Sequence, residues 1–361
     1  MLHQMSTYWG RPLQGTIECY VIRDFDNFTL AAMEARGIRG IRTAGGMTLM
    51  RTVAVGNRCL PKSVVYASAR PVVVRHEAVH AYCHQTFGHI GPIWYSEGMA
   101  EMGHYWKEGD FTVRVDQREV EFLRQNPPKS LANTLSRLQV TGDSWQNYAS
   151  RWALCHFLVH NPNYSPRFLS MGRGFLAGKD IDFDQTYGST ARELWFEYLL
   201  FLQHIDRGYR VDLCAWDWNK KFACLRPGHT MTATIRAARG WQPTGLIVNP
   251  GTRYECIATG NWRATSQLKA VDVHGDDHGR GRLVGALMKD YQLGPEFDVG
   301  SQGSLQSTAG GNLYLRCRNA WNELADSSGR IAVRFKLQED GAPHRKAIES
   351  AVATADASNT D

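Results

Sequence analysis

The segment Pro71-Val-Val-Val-Arg-His-Glu-Ala-Val-His-Ala-Tyr-Cys-His-Gln-Thr-Phe-Gly88 carries the strongest structural signal in the chain. A proline at its head and a glycine just past its end are a common start and stop of an α-helix, so the segment predicts a helix over 72–87. On that helix His76 and His80 are four residues apart and share one face. With Glu77 between them, the segment matches the HExxH pattern.

This helix face has the chemistry of a metal site. Imidazoles one helical turn apart can bind the same ion, and a catalytic zinc site adds a third protein ligand and keeps one position open. A second predicted helix, with Ser96 as its N-cap, supplies Glu97 as a candidate third ligand. We therefore expect Zn²⁺ to be bound by His76 and His80, with Glu77 as the general base.

At this point the sequence resembles a known family. HExxH followed by Trp94-Tyr-Ser-Glu-Gly-Met-Ala-Glu101 is similar to the gluzincin zinc metallopeptidases, most closely the peptidase-MA-like branch with its uncharacterised bacterial members. The resemblance covers roughly Thr7–Asp206 and implies an α+β zincin-type peptidase domain. It implies that Glu97 is the third zinc ligand. It also implies that Glu101 is an outer carboxylate that orients a ligating histidine.

The resemblance also implies a transition-state donor. The family places a tyrosine just before a Trp-Ala-Leu segment, and here Tyr148 precedes Arg151-Trp-Ala-Leu154. The hydroxyl of Tyr148 would then stabilise the oxyanion that forms during hydrolysis. The alternative is that Tyr148 is a core aromatic on a packed helix.

Two other histidines are expected to stay outside the metal site. His84 extends the stripe formed by His76 and His80, but a fourth protein ligand would close the site, so His84 is expected in a pocket wall or on the surface. His104 is expected to lie too far along the second helix to join the metal.

The order of patterns indicates two domains. Short β-rich runs at 16–22, 48–55 and 63–68 precede helices at 72–87, 96–106, 144–159 and 190–204, which predicts an α+β domain over 1–212. A connector at 213–229 leads to strand candidates at 230–237, 244–248, 254–258, 268–273, 311–317 and 330–337. These predict an all-β sandwich over 230–338. The polar tail 339–361 is expected to be disordered.

The second domain resembles the galactophilic-lectin-like sandwich, a jelly-roll, galactose-binding-like fold, over about Thr230–Leu337. The segments that carry this resemblance include Val248-Asn-Pro-Gly-Thr252, Ile257-Ala-Thr-Gly-Asn-Trp262, Leu313-Tyr-Leu315 and Asp326-Ser-Ser-Gly329.

In that family calcium and sugar share a site near the loop before the last strand. The matching positions here are Asn319, Glu323, Asp326 and Ser327, whose oxygens suit Ca²⁺. Arg318 and Ser327 depart from the family pattern and would weaken such a site. The alternatives are a sandwich that binds calcium and a glycan, and one that only anchors or positions the peptidase.

Composition excludes several other classes. The chain has 361 residues, of which 43% are hydrophobic and 21% charged, as in a globular protein. Its basic cluster Arg36-Gly-Ile-Arg-Gly-Ile-Arg42 is not interleaved with stacking aromatics, so we expect a solvated face and no nucleic-acid partner. No apolar run approaches the roughly 20 residues that span a bilayer, so an integral membrane protein is not expected.

Eight cysteines and the family resemblance predict an exported protein, periplasmic or extracellular, although Met1–Gly10 does not resemble a signal peptide. The first disulfide pairs to test are Cys214 with Cys224 and Cys256 with Cys317, and the connectivity stays open at this point.

The main functional prediction is zinc-dependent hydrolysis of peptide bonds in a peptide or protein substrate. The alternative is a glycan- or surface-binding protein whose peptidase-like domain is inactive. A third possibility is a gluzincin-like scaffold that acts on a non-peptide amide.

Overall fold

The computed structural model describes residues 1–26, 33–128, 130–135 and 144–338. It contains helices together with mixed and antiparallel sheets, so the α+β class is confirmed. The chain divides into two compact units. Among the described residues, one is Met1–Trp216 with Ala320–Asp326, and the other is Asp217–Asn319 with Ser327–Gln338. The tail predicted to be disordered, 339–361, lies outside the described residues.

The first unit has a small sheet followed by helices. Its elements are α1 (Leu2–Trp9), β1 (Glu18–Ile22), α2 (Ala35–Ala44), β2 (Gly46–Val55), β3 (Arg58–Ser68), α3 (Pro71–Phe87), α4 (Ile93–His104), α5 (Gln117–Gln125), α6 (Leu131–Thr134), α7 (Trp145–His160), α8 (Ser165–Leu176), α9 (Phe183–Tyr187), α10 (Ala191–His204) and α11 (Val211–Cys214).

Strand β3 is the centre of the three-stranded sheet. It pairs in parallel with β1 and antiparallel with β2. Because side chains alternate along a strand, Val65 and Ala67 face α3 and pack with Ala81, while Tyr66 lies on the opposite face in a core with Ile41 of α2. The sheet therefore holds helix α3 along one face.

Helices α3, α4 and α7 form the centre of the first unit's main core. Buried residues from all three, including Tyr82, Trp94 and Trp152, belong to one apolar cluster. Helix α3 begins at Pro71 and ends before Gly88, whose φ of 85° is the left-handed conformation typical of a helix stop. The predicted bounds of this helix are confirmed to within one residue.

The predicted start of the second helix is wrong. Helix α4 begins at Ile93 with Pro92 as its N-cap, so Ser96 lies in the helix interior. Its hydroxyl contacts a histidine ring, as described below.

Helix α2 was not predicted, although its arginines were expected to be exposed to solvent. Its three arginines are exposed, as expected for a solvated face. Its glycines, however, allow close packing on the sheet, because a Cβ at Gly37 would lie 2.4 Å from Tyr66 and one at Gly40 2.4 Å from Met47. The basic cluster is thus one face of a helix packed on β2 and β3.

The second unit is a β-sandwich. Its strands are β4 (Ala223–Cys224), β5 (Thr230–Arg236), β6 (Gln242–Val248), β7 (Arg253–Arg263), β8 (Arg282–Lys289), β9 (Gln292–Leu293), β10 (Phe297–Asp298), β11 (Gln302–Gln306), β12 (Gly311–Arg318) and β13 (Ser328–Leu337). One sheet has the order β10-β8-β12-β6-β4, with β9 also paired to β8, and the other has the order β11-β7-β13-β5. Both sheets contribute to one apolar core.

The predicted strands of the sandwich are present with one exception. Instead of a strand over 268–273, the structure has a single bridge that joins Val271 to Trp262. The interior strand β8, the edge strand β11 and the short strands β4, β9 and β10 were not predicted. Within the described residues, no helix is both long and apolar enough to cross a membrane.

Candidate metal centre

Three side chains from α3 and α4 converge on one point. The Nε2 atoms of His76 and His80 are 3.2 Å apart. Glu97 Oε2 lies 3.4 Å from Nε2 of His76 and 3.5 Å from Nε2 of His80. Glu97 and His80 are buried, and the three side chains form a group that could hold a metal ion.

The donor set fits zinc in chemistry and in spacing. Zinc commonly takes imidazole nitrogen and carboxylate oxygen at about 2.0–2.2 Å in a tetrahedral arrangement, which separates the donor atoms by about 3.3–3.6 Å. The two separations that involve Glu97, 3.4 and 3.5 Å, lie within this range, and the 3.2 Å between the two histidine nitrogens lies just below it. Three protein donors leave a fourth position for water or substrate, which is the arrangement of catalytic zinc sites.

Each histidine is oriented by a contact on its other ring nitrogen. Nδ1 of His76 lies 3.0 Å from Oε1 of Glu101, and Nδ1 of His80 lies 3.0 Å from the hydroxyl of Ser96. When Nδ1–H donates to these oxygens, each Nε2 carries the lone pair that a metal requires. The structure thus places Glu101 against His76 and Ser96 against His80. The contact of Ser96 was not predicted, because the sequence indicated an N-cap at that position.

The electrostatics favour an ion pair between the donors. Burial lowers the pKa of His76, but its hydrogen bonds to Glu101 and Glu97 outweigh burial and raise that pKa well above its usual value. Burial raises the pKa of Glu97, but the charges of His80 and His76 outweigh it and hold that pKa well below its usual range. A metal ion therefore competes with a proton for His76.

Glu77 lies on the side of α3 that faces the edge strand β2, and residues of that strand hold its side chain. The hydroxyl of Thr48 lies 2.8 Å from Oε2 of Glu77 and 2.9 Å from its carbonyl oxygen. Gly46 leaves the room that this packing needs, because a Cβ there would lie 3.0 Å from Cγ of Glu77. Thr48 was not a candidate from the sequence, since it comes from a strand 29 residues away.

Tyr148 lies beside the metal centre. Its ring centroid is 6.2 Å from that of His76, and the guanidinium of Arg151 is 5.9 Å from the Tyr148 ring. Burial raises the pKa of Tyr148, and the charge of Glu97 raises it further. The phenol is therefore protonated at neutral pH and can donate a hydrogen bond.

Two further histidines, His84 and His104, were expected to stay outside the metal site. His84 lies 2.9 Å from the hydroxyl of Ser63 and lines a cavity of about 520 Å³, which agrees with a pocket wall. His104 is not one of the three donors of the group formed by His76, His80 and Glu97, so its predicted absence from that site is not contradicted. Its Nδ1 is 3.7 Å from Glu101, and together with His76 it forms a second group of possible metal ligands. Both groups need His76.

The four predicted calcium positions are divided between the units. Asn319 and Ser327 belong to the second unit, whereas Glu323 and Asp326 belong to the segment assigned to the first. The amide of Asn319 donates to the carbonyl of Ala264, and the hydroxyl of Ser327 donates to the same oxygen. The calcium site stays a prediction.

The proposed disulfides are absent. All eight cysteines lie within the described residues, and no disulfide bond joins any of them. Cys256 and Cys317 are buried in the apolar core of the sandwich, and Cys214 and Cys224 are assigned to different units.

Comparison with known proteins gives weak similarities. No protein-family model and no curated protein sequence matches this chain. A PllA-like lectin, the EclA N-terminal domain, is similar over 30% of this chain and 96% of its own, with 17% identity and a TM-score of 0.26. The IMPa metallopeptidase from Pseudomonas aeruginosa is similar over 63% of this chain and 28% of its own, with 13% identity and a TM-score of 0.20. The geometry of the metal centre therefore remains the basis for a functional inference.

Proposed function

We propose that this protein is a zinc-dependent peptidase. The observation that carries the proposal is the triangle of donor atoms from His76, His80 and Glu97, whose separations suit zinc. Both histidines are also oriented by a contact on Nδ1, the ring nitrogen that does not face the triangle. Glu77, whose charge acts on His76, supplies the base that hydrolysis requires. A site that only stored or transported the ion would have no need of such a base.

The residues around the centre have separate roles in this proposal. Bound zinc would supply a Lewis acid and lower the pKa of water to about 7. Glu77, steadied by Thr48, accepts the proton of the attacking water and delivers it to the leaving amine. The phenol of Tyr148 donates a hydrogen bond to the oxyanion that develops on the former carbonyl oxygen.

Strand β2 supports an extended peptide as the substrate. Among the described strands, β2 pairs only with β3, so the backbone groups along its other edge are free of sheet pairing. Its first residues contact Glu77 through Gly46 and Thr48. A peptide that adds a strand to this edge gains main-chain hydrogen bonds and passes beside the base.

The proposal is tested by digestion of a broad peptide library, read by mass spectrometry. Protein with about one zinc per chain should cleave library peptides, a chelator should abolish cleavage, and added zinc should restore it. Cleavage that survives complete removal of metal would overturn the proposal. Stable zinc binding without any cleavage would favour the glycan- or surface-binding alternative.

A further inference from the structure

The second unit contains an open cleft between its two sheets, with a volume of about 860 Å³. Its floor is part of the sandwich core, because buried side chains from both sheets line it: Cys256 and Phe335 from one sheet, Leu313 and Leu315 from the other. These four side chains are at most 2% exposed. The apolar surface that a bound molecule can reach therefore belongs to the partly buried side chains that surround them.

Polarity changes from the floor of this cleft to its rim. Partly buried apolar side chains, among them Leu287, Phe297 and Leu305, surround the floor. The lining also includes exposed polar side chains: Lys289, Asp290, Ser304 and Thr308. A molecule bound here would therefore meet apolar groups along its buried part and charges or hydroxyls at its exposed end.

The turn at the rim has an unfavourable backbone conformation. Asp290 and Tyr291 connect β8 to β9 with φ values of 51° and 61°, a region that favours glycine and asparagine. The ring of Tyr291 packs on Trp218, with centroids 5.7 Å apart, which helps to hold the turn. Positive φ at both central residues is what a two-residue hairpin turn of this kind requires, so the turn fixes the position of the rim.

We propose that this cleft binds a single-chain amphiphile, with an alkyl or acyl tail against Leu287, Phe297 and Leu305 and an uncharged, hydroxylated head at the rim. The volume is within the roughly 300–1,000 Å³ of small-molecule pockets. No charged side chain lines the floor, so a free ion or sugar would find no partner there. The rim carries charges of both signs beside hydroxyls, which favours a head without net charge. None of the four predicted calcium positions lines the cleft.

The experiment is a calorimetric titration of the full chain with octyl, decyl and dodecyl maltoside, each below its critical micelle concentration. Because each buried methylene contributes to transfer from water, affinity should rise about fourfold per added methylene. Maltose alone should not compete. Affinity that does not depend on chain length, or competition by maltose, would overturn the proposal, because the head and not the tail would then be recognised.

A matched pair of variants locates the binding. Leu305→Trp fills the cleft from the edge strand β11 and should weaken dodecyl maltoside binding at least tenfold. Met231→Trp changes another partly buried side chain packed on the same core, on the opposite edge strand β5 and away from the cleft, and should leave binding unchanged. Equal binding by both variants would overturn the assignment.

A second measurement covers the case in which Leu305→Trp does not fold. In the Ser304→Cys variant, at an exposed position that lines the cleft, dodecyl maltoside should slow maleimide labelling of the introduced thiol and leave labelling of the exposed Cys59 unchanged. Peptide mapping after labelling reports the two thiols separately. Unchanged labelling at position 304 at saturating amphiphile would contradict the proposal.

Discussion

At the scale of single residues, the candidate site depends on which nitrogen of each histidine faces the donor triangle. The i, i+4 spacing of His76 and His80 could be predicted from the sequence, because helix geometry alone places them on one face. The partners that orient the rings were only partly predictable. Glu101 entered through the resemblance, whereas the role of Ser96 depends on where α4 begins, which its local sequence did not indicate.

The ligand set gives the first prediction. Glu97→Ala removes one of three donors and should sharply lower zinc content from about one ion per chain. Glu101→Gln removes the negative charge that strengthens the hydrogen bond from His76 and should weaken zinc affinity by about 10–100-fold. Zinc content measured by mass spectrometry, with the exposed Glu108→Gln as control, checks both. Full occupancy in the Glu97 variant would remove that residue from the ligand set.

Tyr148→Phe gives the second prediction. The substitution removes one hydroxyl and should lower turnover by about 100–1,000-fold, the range for one oxyanion donor. Substrate affinity should change little, because the hydrogen bond forms mainly in the transition state. Steady-state kinetics on a cleaved peptide separates the two quantities. Parent-like turnover would leave Tyr148 as a packed core aromatic.

At the scale of elements, helices and strands with strong local sequence signals could be predicted. Those whose formation depends on contacts with distant residues could not. Helix α3 has a proline start, a glycine stop and a length typical of helices, so its bounds could be predicted. Strand β8 is buried on both faces over Leu283–Ala286, so it lacks the alternation that marks a half-buried strand. In α2, the segment Arg36–Arg42 packs on the sheet through its glycines. Because glycine has no apolar side chain, the sequence pattern showed only the arginines and indicated a polar face.

The contact between α4 and α7 gives the third prediction. A Cβ at Gly98 would lie 2.4 Å from Sγ of Cys155 and 2.8 Å from the carbonyl oxygen of Arg151. Gly98→Ala should therefore separate the helices and destabilise the protein by about 1–3 kcal/mol, lowering Tm by several degrees. Zinc content should fall as well, because Glu97 is the adjacent residue.

The matched control is Gly188→Ala. A Cβ at Gly188 has nothing within 4 Å, and the backbone there is helical. Its melting temperature and zinc content should equal those of the parent. Equal melting of the Gly98 variant and this control would show that α4 and α7 tolerate a wider separation.

At the scale of the whole molecule, the change from helices to strands could be predicted from the sequence. That a later segment of the chain belongs to the first unit could not. Segment Ala320–Asp326 belongs to the first unit, where Trp321 stacks on His204 with centroids 4.5 Å apart. Such a contact joins residues more than a hundred positions apart, so no local pattern indicates it. Two of the four predicted calcium positions lie in this segment.

Two buried histidines of α7 give the fourth prediction, on acid stability. Burial lowers the pKa of His160 from 6.5 to about 4, and burial lowers the pKa of His156 well below its usual value. The unfolded chain therefore binds more protons than the folded protein below pH 6.5. Stability should fall as the pH decreases from about 6.5 to about 4.

The measurement is the melting temperature at pH 7.5 and pH 5 for the parent and for His160→Gln. The melting temperature of the variant should fall less than that of the parent between pH 7.5 and pH 5, because the variant has one fewer group that gains a proton on unfolding. Proton competition at the metal centre is common to both proteins and cancels in the comparison. An equal loss in both would mean that His160 titrates normally in the folded state.

The central claim, that the metal centre performs hydrolysis with Glu77 as base, is tested most directly by Glu77→Gln. This side chain is not part of the donor triangle, so the variant should keep about one zinc per chain and melt like the parent. It cannot accept a proton, so turnover of a cleaved peptide should fall by at least about 100-fold. A Glu77→Gln protein that binds zinc and cleaves as fast as the parent would contradict the claim.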